Sequence, residues 1–408
     1  MSVRIPEVRD RLEGVHFGVR GGQSYAPEIL ICCMGTARMT SKNDVYVSDI
    51  DNIHKDGWHE IIQRFDDACI HQTWSFGAAR WGLNNLSHLV LKRNGEIIAA
   101  AQVALFRLPV IGTGIAHIKF GPMWQLHGRE KCLETYRQII RALREEYAQR
   151  RGLLLRLKPW EAEGNDVEMR SLREACGLQW KRHLPHYRTF ILDMSHTVAE
   201  LHKGLKPKWR YNLRRAEKRD LTVHHIQSKE AIEIFINLYA EMRNRKIFFD
   251  TSEINILRDF YTDLPDQLKP QILIGKLGDD PVAGLVISLI GNRAFYLFGA
   301  TGEKGLESGA SYVLHWRAVN WLKEQGCRWY DLVGAHSLVG AHSARGSAGQ
   351  SEGIHQFKAG LIGRCGREVD MGDFDACCSW ASLITVKLGT GLRSAYRNMR
   401  HDLKSRLK

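Results

Sequence analysis

The chain has 408 residues, 44% of them hydrophobic and 25% charged, an ordinary globular composition with length for two or three cores of about 150 residues each. That excludes a disordered, collagen-like or disulfide-stapled miniature protein. Lys and Arg exceed Asp and Glu by 13, and the excess is local. Residues 203–219 (KGLKPKWRYNLRRAEKR) hold eight basic and one acidic residue, and residues 387–408 hold seven and one. The other 369 residues carry 43 charges of each sign, so an anionic partner is expected at those two segments and not over the whole surface.

Nine cysteines, odd in number and without a C-x-x-C pair, fit a reducing, cytoplasmic setting. The first residues are charged and lack the apolar core of a signal peptide. The most apolar stretches, near 97–116 and 281–300, are interrupted by Arg107 and Pro109 and by Asn292 and Arg293, so neither is expected to span a bilayer.

Taken in chain order, residues 1–56 read as a polar extension without assigned order. Helical spacing starts at Trp58 and continues through Ile61, Ile62 and Phe65 to Cys69. Residues 88–105 (HLVLKRNGEIIAAAQVAL) predict a hairpin about Asn94-Gly95, and residues 118–122 (IKFGP) close an aromatic strand. An amphipathic helix over 129–151 stops at Gly152, and a strand covers 153–157. The same order recurs about 180 residues later. A hairpin falls at 271–289 around residues 278–281, an aromatic strand end at 296–300 (YLFGA), a helix at 309–325 stopping at Gly326, and a strand at 329–333. Five elements in one order twice predict a tandem duplication of an α/β unit with a mixed, largely antiparallel sheet. Two unrelated α/β domains sharing an element order are the alternative. The divisions expected are a first domain over 57–200, a basic linking helical segment over 201–226, a second domain over 227–386, and a basic amphipathic tail over 387–408.

Three segments carry a family resemblance: residues 71–83 (HQTWSFGAARWGL), residues 205–223 (LKPKWRYNLRRAEKRDLTV), and the pair YDLVG (330–334) and GIHQFKAG (353–360). With the element order, they resemble the Fem-type aminoacyltransferases that build peptidoglycan interpeptide bridges, which carry two Gcn5-related N-acyltransferase (GNAT) domains in tandem. The resemblance covers about residues 58–375. It implies a metal-independent N-acyltransferase without a bound cofactor, joining an aminoacyl group from tRNA, or an acyl group from acyl-CoA, to an amine of a phosphate-bearing cell-wall or exopolysaccharide precursor. An RNA- or membrane-binding module on a transferase scaffold is the non-enzymatic alternative. Three departures accompany it. Gln125 stands where the family often has a carboxylate after Gly121-Pro122. No long helical arm for tRNA fits between Tyr239 and Gln271. The glycine-rich pattern that CoA-dependent relatives place on pyrophosphate is replaced at residues 303–310 by EKGLESGA.

Within that resemblance Lys358 is the cation at the acyl-transfer centre and Phe357 the wall that holds it; by spacing alone Lys358 reads as an ordinary surface lysine after a core phenylalanine. Asp331 is a candidate general base or a structural strand-end carboxylate. Residues 207–219 predict a helix with Pro207 in its first turn, Trp209, Leu213 and Ala216 on one face, and Arg210, Arg214 and Lys218 on another. Like charges at that spacing call for an anion, and guanidinium forks suit phosphate, so this face is expected to hold a precursor diphosphate or a tRNA backbone. Arg80 beside Trp81 is expected to add a cation from the first domain. Residues 334–349 (GAHSLVGAHSARGSAG) read as a lid over Lys358. The tail reads as a helix suited to an anionic membrane surface, to RNA phosphate, or to capping the second domain. The 18 histidines show no metal-ligand spacing and no G-x-S-x-G is present.

Overall fold

Each Gly-centred hairpin read from the sequence forms the middle of a sheet. The computed structural model describes residues 44–107, 113–160, 167–181, 187–245, 254–336 and 347–377. The first sheet contains β1 (Tyr46–Ile50), β2 (Leu86–Arg93), β3 (Glu96–Arg107), β4 (Gly114–Lys119), β5 (Leu154–Lys158) and β6 (Gln179–Lys181). The second contains β7 (Tyr187–Asp193), β8 (Leu221–Ile226), β9 (Gln271–Leu277), β10 (Asp280–Ile290), β11 (Arg293–Thr301), β12 (Trp329–Asp331), β13 (Ala335–His336) and β14 (Gly366–Met371). A last strand, β15 (Asp373–Ala376), returns to the first sheet, whose order is β1-β2-β3-β4-β5-β15-β6. The second sheet runs β13-β7-β12-β11-β10-β9-β8, with β14 also paired to β7. Among the described strands only β4–β5 and β11–β12 are parallel. Both sheets are thus mixed and mostly antiparallel, as the duplicated order predicts.

The helices are α1 (Lys55–Ile62), α2 (Trp74–Trp81), α3 (Leu133–Leu143), α4 (Val167–Ala175), α5 (Val198–Gly204), α6 (Pro207–Glu217), α7 (Lys229–Arg245), α8 (Leu257–Asp263), α9 (Glu303–Ser308), α10 (Ala310–Glu324) and α11 (Ser347–Ile362). Strand residues alternate between faces, and that alternation sorts the cores. Leu89, Leu91, Ala99 and Ala101 meet Ile139, Ile140 and Leu143 of α3, while Val90 and Ala100 turn toward Trp58 and Phe76 of α1 and α2. In the second sheet Leu273, Leu285 and Ile287 meet α6 and α10. Ile272, Ile274 and Val286 face Ile232 and Phe235 of α7. The cluster of α1 and α2 is the same one that holds α7 and α8, so the two halves share a helical layer between the sheets. From Val45 onward the chain is accordingly one compact unit. No described helix is long and apolar enough to cross a membrane.

The expected divisions need four changes. Residues 46–62 belong to the first half, as β1 and α1, because β1 completes the ladder beside β2. The boundary expected at residue 200 lies beyond β7, which already pairs with β12 and β14 in the second sheet. Helices α5 and α6 pack into the second core instead of bridging two domains. Finally, β15 fills a place between β5 and β6, so the second half does not keep its last strand. The tail at 387–408, most of the extension at 1–56 and the centre of the loop read as a lid lie outside the described residues.

Candidate functional site in the second half

Strands β11 and β12 pair only through Arg293↔Trp329, Ala294↔Tyr330 and Phe295↔Asp331. Beyond that point β11 runs on to Thr301 along β10 while β12 ends, so the sheet opens between them. A bulge marks the place: two residues of β11, Tyr296 and Phe298, face adjacent residues of β10, Ile287 and Val286. The extra residue, Leu297, kinks the strand, as bulges beside active sites do. Tyr296, next to the bulge, turns its ring into the opening.

Lys358 enters this opening from α11. It is 8% exposed, its Nζ donates to the Val333 carbonyl oxygen, and the ammonium stands 5.1 Å from the centre of the Tyr296 ring. Burial holds its pKa down to about 8, opposed by the Asp331 charge. Phe357 precedes it and packs among Trp209, Tyr312 and His315, with ring centres 5.7, 5.1 and 5.1 Å away. A methyl group on Gly360 would come within 2.8 Å of Trp209 Cδ1; this glycine lets α11 lie close against α6 and sets where Lys358 points.

Asp331 is 1% exposed and its oxygens are occupied. Oδ1 accepts from the Thr189 hydroxyl and from Val333 N (2.7 Å), and Oδ2 accepts from Trp160 Nε1 (2.7 Å). Burial raises its pKa, while these donors hold it down. The carboxylate fixes the turn in which Val333 has φ of 51°, an uncommon conformation for a β-branched residue, and that turn presents the carbonyl to Lys358. The geometry is that of a positioning group. Lys358, Phe357 and Asp331 are therefore brought together.

The site also contains residues the motifs did not indicate. Tyr296, its pKa pushed up to about 12 by burial, and His315, held down to about 3 by burial and by Lys358, are both neutral at pH 7. His315 Nδ1 and Trp209 Nε1 are buried without a hydrogen-bond partner among the described residues. Trp160 comes from the end of β5 in the first half, and no local spacing links it to Asp331.

Helix α6 has the predicted faces. Trp209, Leu213 and Ala216 are buried, and Asn212 donates to Tyr312 Oη at 2.8 Å. Arg210 is half-buried and its Nη1 donates to the Lys203 carbonyl (3.0 Å). Arg214 and Lys218 are exposed, as are Lys206, Lys208, Arg215 and Arg219. None of these forms an ion pair with a described residue, so the whole face is left to solvent or to an anion.

Arg80 and Trp81 end α2, which packs on β2 and β3 of the first sheet and against α8. Arg80 is exposed and Trp81 half-buried, its ring 6.1 Å from Phe76. The Gln-Thr pair before α2 is structural. Gln72 donates to Lys119 O (2.9 Å) and accepts from Gln102 N (2.9 Å), and Thr73 caps α2 through Phe76 N. These bonds tie the helix to β3 and β4.

The segment that stands in place of the pyrophosphate-binding pattern of CoA-dependent relatives forms α9 and the start of α10. A methyl group on Gly309 would meet Ala216 Cβ at 3.1 Å, and the Glu241 carboxylate takes the Glu303 N–H at the start of α9 (3.3 Å).

A family profile described as an acetyltransferase (GNAT) domain matches residues 206–342, which contain α6, the bulge and the opening between β11 and β12. No curated protein matches the chain. Among solved structures it is similar to the crystal structure of FemX, with a TM-score of 0.66 and 14% identity over 83% of this chain and 99% of that one. L-PGS from Bacillus licheniformis follows with a TM-score of 0.48 and 16% identity over 82% and 95%. A tandem GNAT protein from the clavulanic acid biosynthesis pathway has 0.39 and 12% over 82% and 98%. With its two mixed sheets, the chain therefore has the tandem GNAT fold of the Fem-type proteins, a fold of the acyltransferase class.

Proposed function

We propose that this chain forms an amide bond between an activated aminoacyl or acyl group and an amine of a phosphate-bearing cell-wall or polysaccharide precursor. The observation that carries this reading is Lys358, a buried cation fixed at the opening between the parallel strands of the second half. The neutral amine attacks the acyl carbonyl carbon, and the carbonyl oxygen gathers negative charge in the tetrahedral intermediate. The Lys358 ammonium stabilises that charge in a site where water does not screen it. The intermediate collapses by losing the amine proton and expelling the donor's hydroxyl or thiol. Asp331, with its oxygens occupied, acts by holding Val333 and through it Lys358. The exposed cations of α6 receive the phosphate of the precursor or of a tRNA donor.

The Glu241 carboxylate at the start of α9 favours an aminoacyl donor over acyl-CoA, whose pyrophosphate would meet that carboxylate. Incubation with radiolabelled aminoacyl-tRNA or acetyl-CoA and a peptidoglycan precursor tests the reading. Label is expected in the precursor from aminoacyl-tRNA and is expected to disappear in Lys358→Ala. Transfer from neither donor would instead favour a non-catalytic module that binds RNA or an anionic surface through α6.

A further inference from the structure

Amide formation at the Lys358 centre leaves one proton without an acceptor. When the amine nitrogen bonds to the acyl carbon it becomes positively charged, and the intermediate reaches the amide only after a base takes one of its protons. Asp331 has both oxygens occupied, Lys358 is a cation, and burial keeps the protons on the Tyr296 and Tyr330 phenols. His315 of α10 is different. It is 6% exposed, and its ring lies 5.1 Å from that of Tyr296 and 5.1 Å from that of Phe357. Lys358 stands against the same Tyr296 ring. Among the described residues neither nitrogen of His315 has a hydrogen-bond partner, and Nδ1 is sealed from solvent. A neutral imidazole carries one N–H and one free lone pair, so an unused acceptor sits in the wall that faces the buried cation. Burying such a ring without a partner weakens the core around it.

The neighbouring charge gives the lone pair its timing. Burial holds His315 neutral, and Lys358 is the charge that lowers its basicity further. In the resting site that repulsion keeps the lone pair unprotonated. Once the oxyanion forms, it neutralises the Lys358 ammonium, and the imidazole regains basicity at the step that needs it.

We propose that His315 carries the proton of the transfer reaction, an inference that rests on the function proposed above. As the C–N bond forms, the carbonyl electron pair moves onto the oxygen beside Lys358. The imidazole lone pair then takes a proton from the charged amine nitrogen. The imidazolium gives that proton to the departing oxygen or sulfur of the donor as its bond to carbon breaks, and His315 ends neutral, as it began. No further reactant is needed.

Transfer of radiolabel from aminoacyl-tRNA to a peptidoglycan precursor, measured beside a melting curve, tests the role. His315→Gln supplies a side chain that accepts hydrogen bonds but not protons. It is expected to lower kcat roughly 10²–10⁴-fold, the usual contribution of acid–base catalysis, with little change in either KM. His315→Phe keeps a ring between Tyr296 and Phe357 and is expected to lose as much, should His315→Gln not fold. His315→Ala is expected to regain at least about tenfold in kcat with added imidazole and nothing with pyrrole, a ring of the same shape without a basic nitrogen. Undiminished transfer by a folded His315→Gln or His315→Phe protein, or a response that does not distinguish imidazole from pyrrole, would overturn the role while leaving the transfer reaction standing. A wild-type protein that transfers from no donor would overturn the reaction, and this role with it.

Discussion

Lys358 decides the chemistry of the second half because its charge is both buried and held. With its pKa near 8, the ammonium is present below that pH and lost above it. The kcat/KM profile, which reports the free enzyme, is expected to fall on the alkaline side from about pH 8, and Lys358→Arg, where activity survives, should extend the plateau upward. Lys358→Ala is expected to cost roughly 10²–10³ in kcat, the usual effect of removing one donor to a developing oxyanion. Trp160→Phe keeps an aromatic ring of smaller size and removes the N–H to Asp331, a bond to a charged group worth about 1.5–3 kcal/mol. It is expected to lower kcat about tenfold with little change in the KM for either substrate, measured beside a melting curve. The Phe-Lys pair and the Tyr-Asp-Leu-x-Gly strand end were legible because each sits in a short contiguous motif. Tyr296, His315 and Trp160 were not. Their roles arise from a bulge, a helix packing and a meeting of two halves, none of which leaves a local spacing.

At the scale of elements, α6 shows how one helix serves the core and a ligand face together. Pro207 starts it, and Trp209, Leu213 and Ala216 fall on the buried side, so its position was legible from the i, i+4, i+7 pattern. Less visible was its partner. Gly360 permits the contact with Trp209, and a helix-favouring substitution there is expected to harm. Gly360→Ala should destabilise by about 1–3 kcal/mol through overpacking, displacing Lys358 and lowering kcat together with thermal stability. Arg214→Ala and Lys218→Ala alter only the exposed side. Each is expected to leave the melting temperature unchanged and raise the KM for a phosphate-bearing substrate, with a weaker dependence on salt. The helix expected at 129–151 is shorter in its α-helical part, because residues 144–150 wind as a π-helical turn that carries Tyr147 into the core.

For the whole molecule, the shared helical layer and β15 make two repeats into one folding unit. Arg156 of β5 binds Asp375 of β15 through two bonds of 2.8 and 2.7 Å, largely out of water. Arg156→Ala leaves that carboxylate buried without its fork and is expected to cost about 3 kcal/mol, with both halves melting in a single transition. The duplication was legible because turns such as Asn94-Gly95 and stops such as Gly152 and Gly326 repeat in order. The exchange of β15 was not, since a four-residue strand (DFDA) has no periodicity of its own and Asp375 lies 219 positions from Arg156. That separation matters during synthesis. While the ribosome is still making the second half, β5 and β6 bracket an empty lane in the first sheet, and two unpaired edges of that kind invite wrong pairing. At about 5–20 residues per second the lane stays open for roughly ten to forty seconds, a window in which the nascent chain depends on chaperones or on its own second half arriving in time.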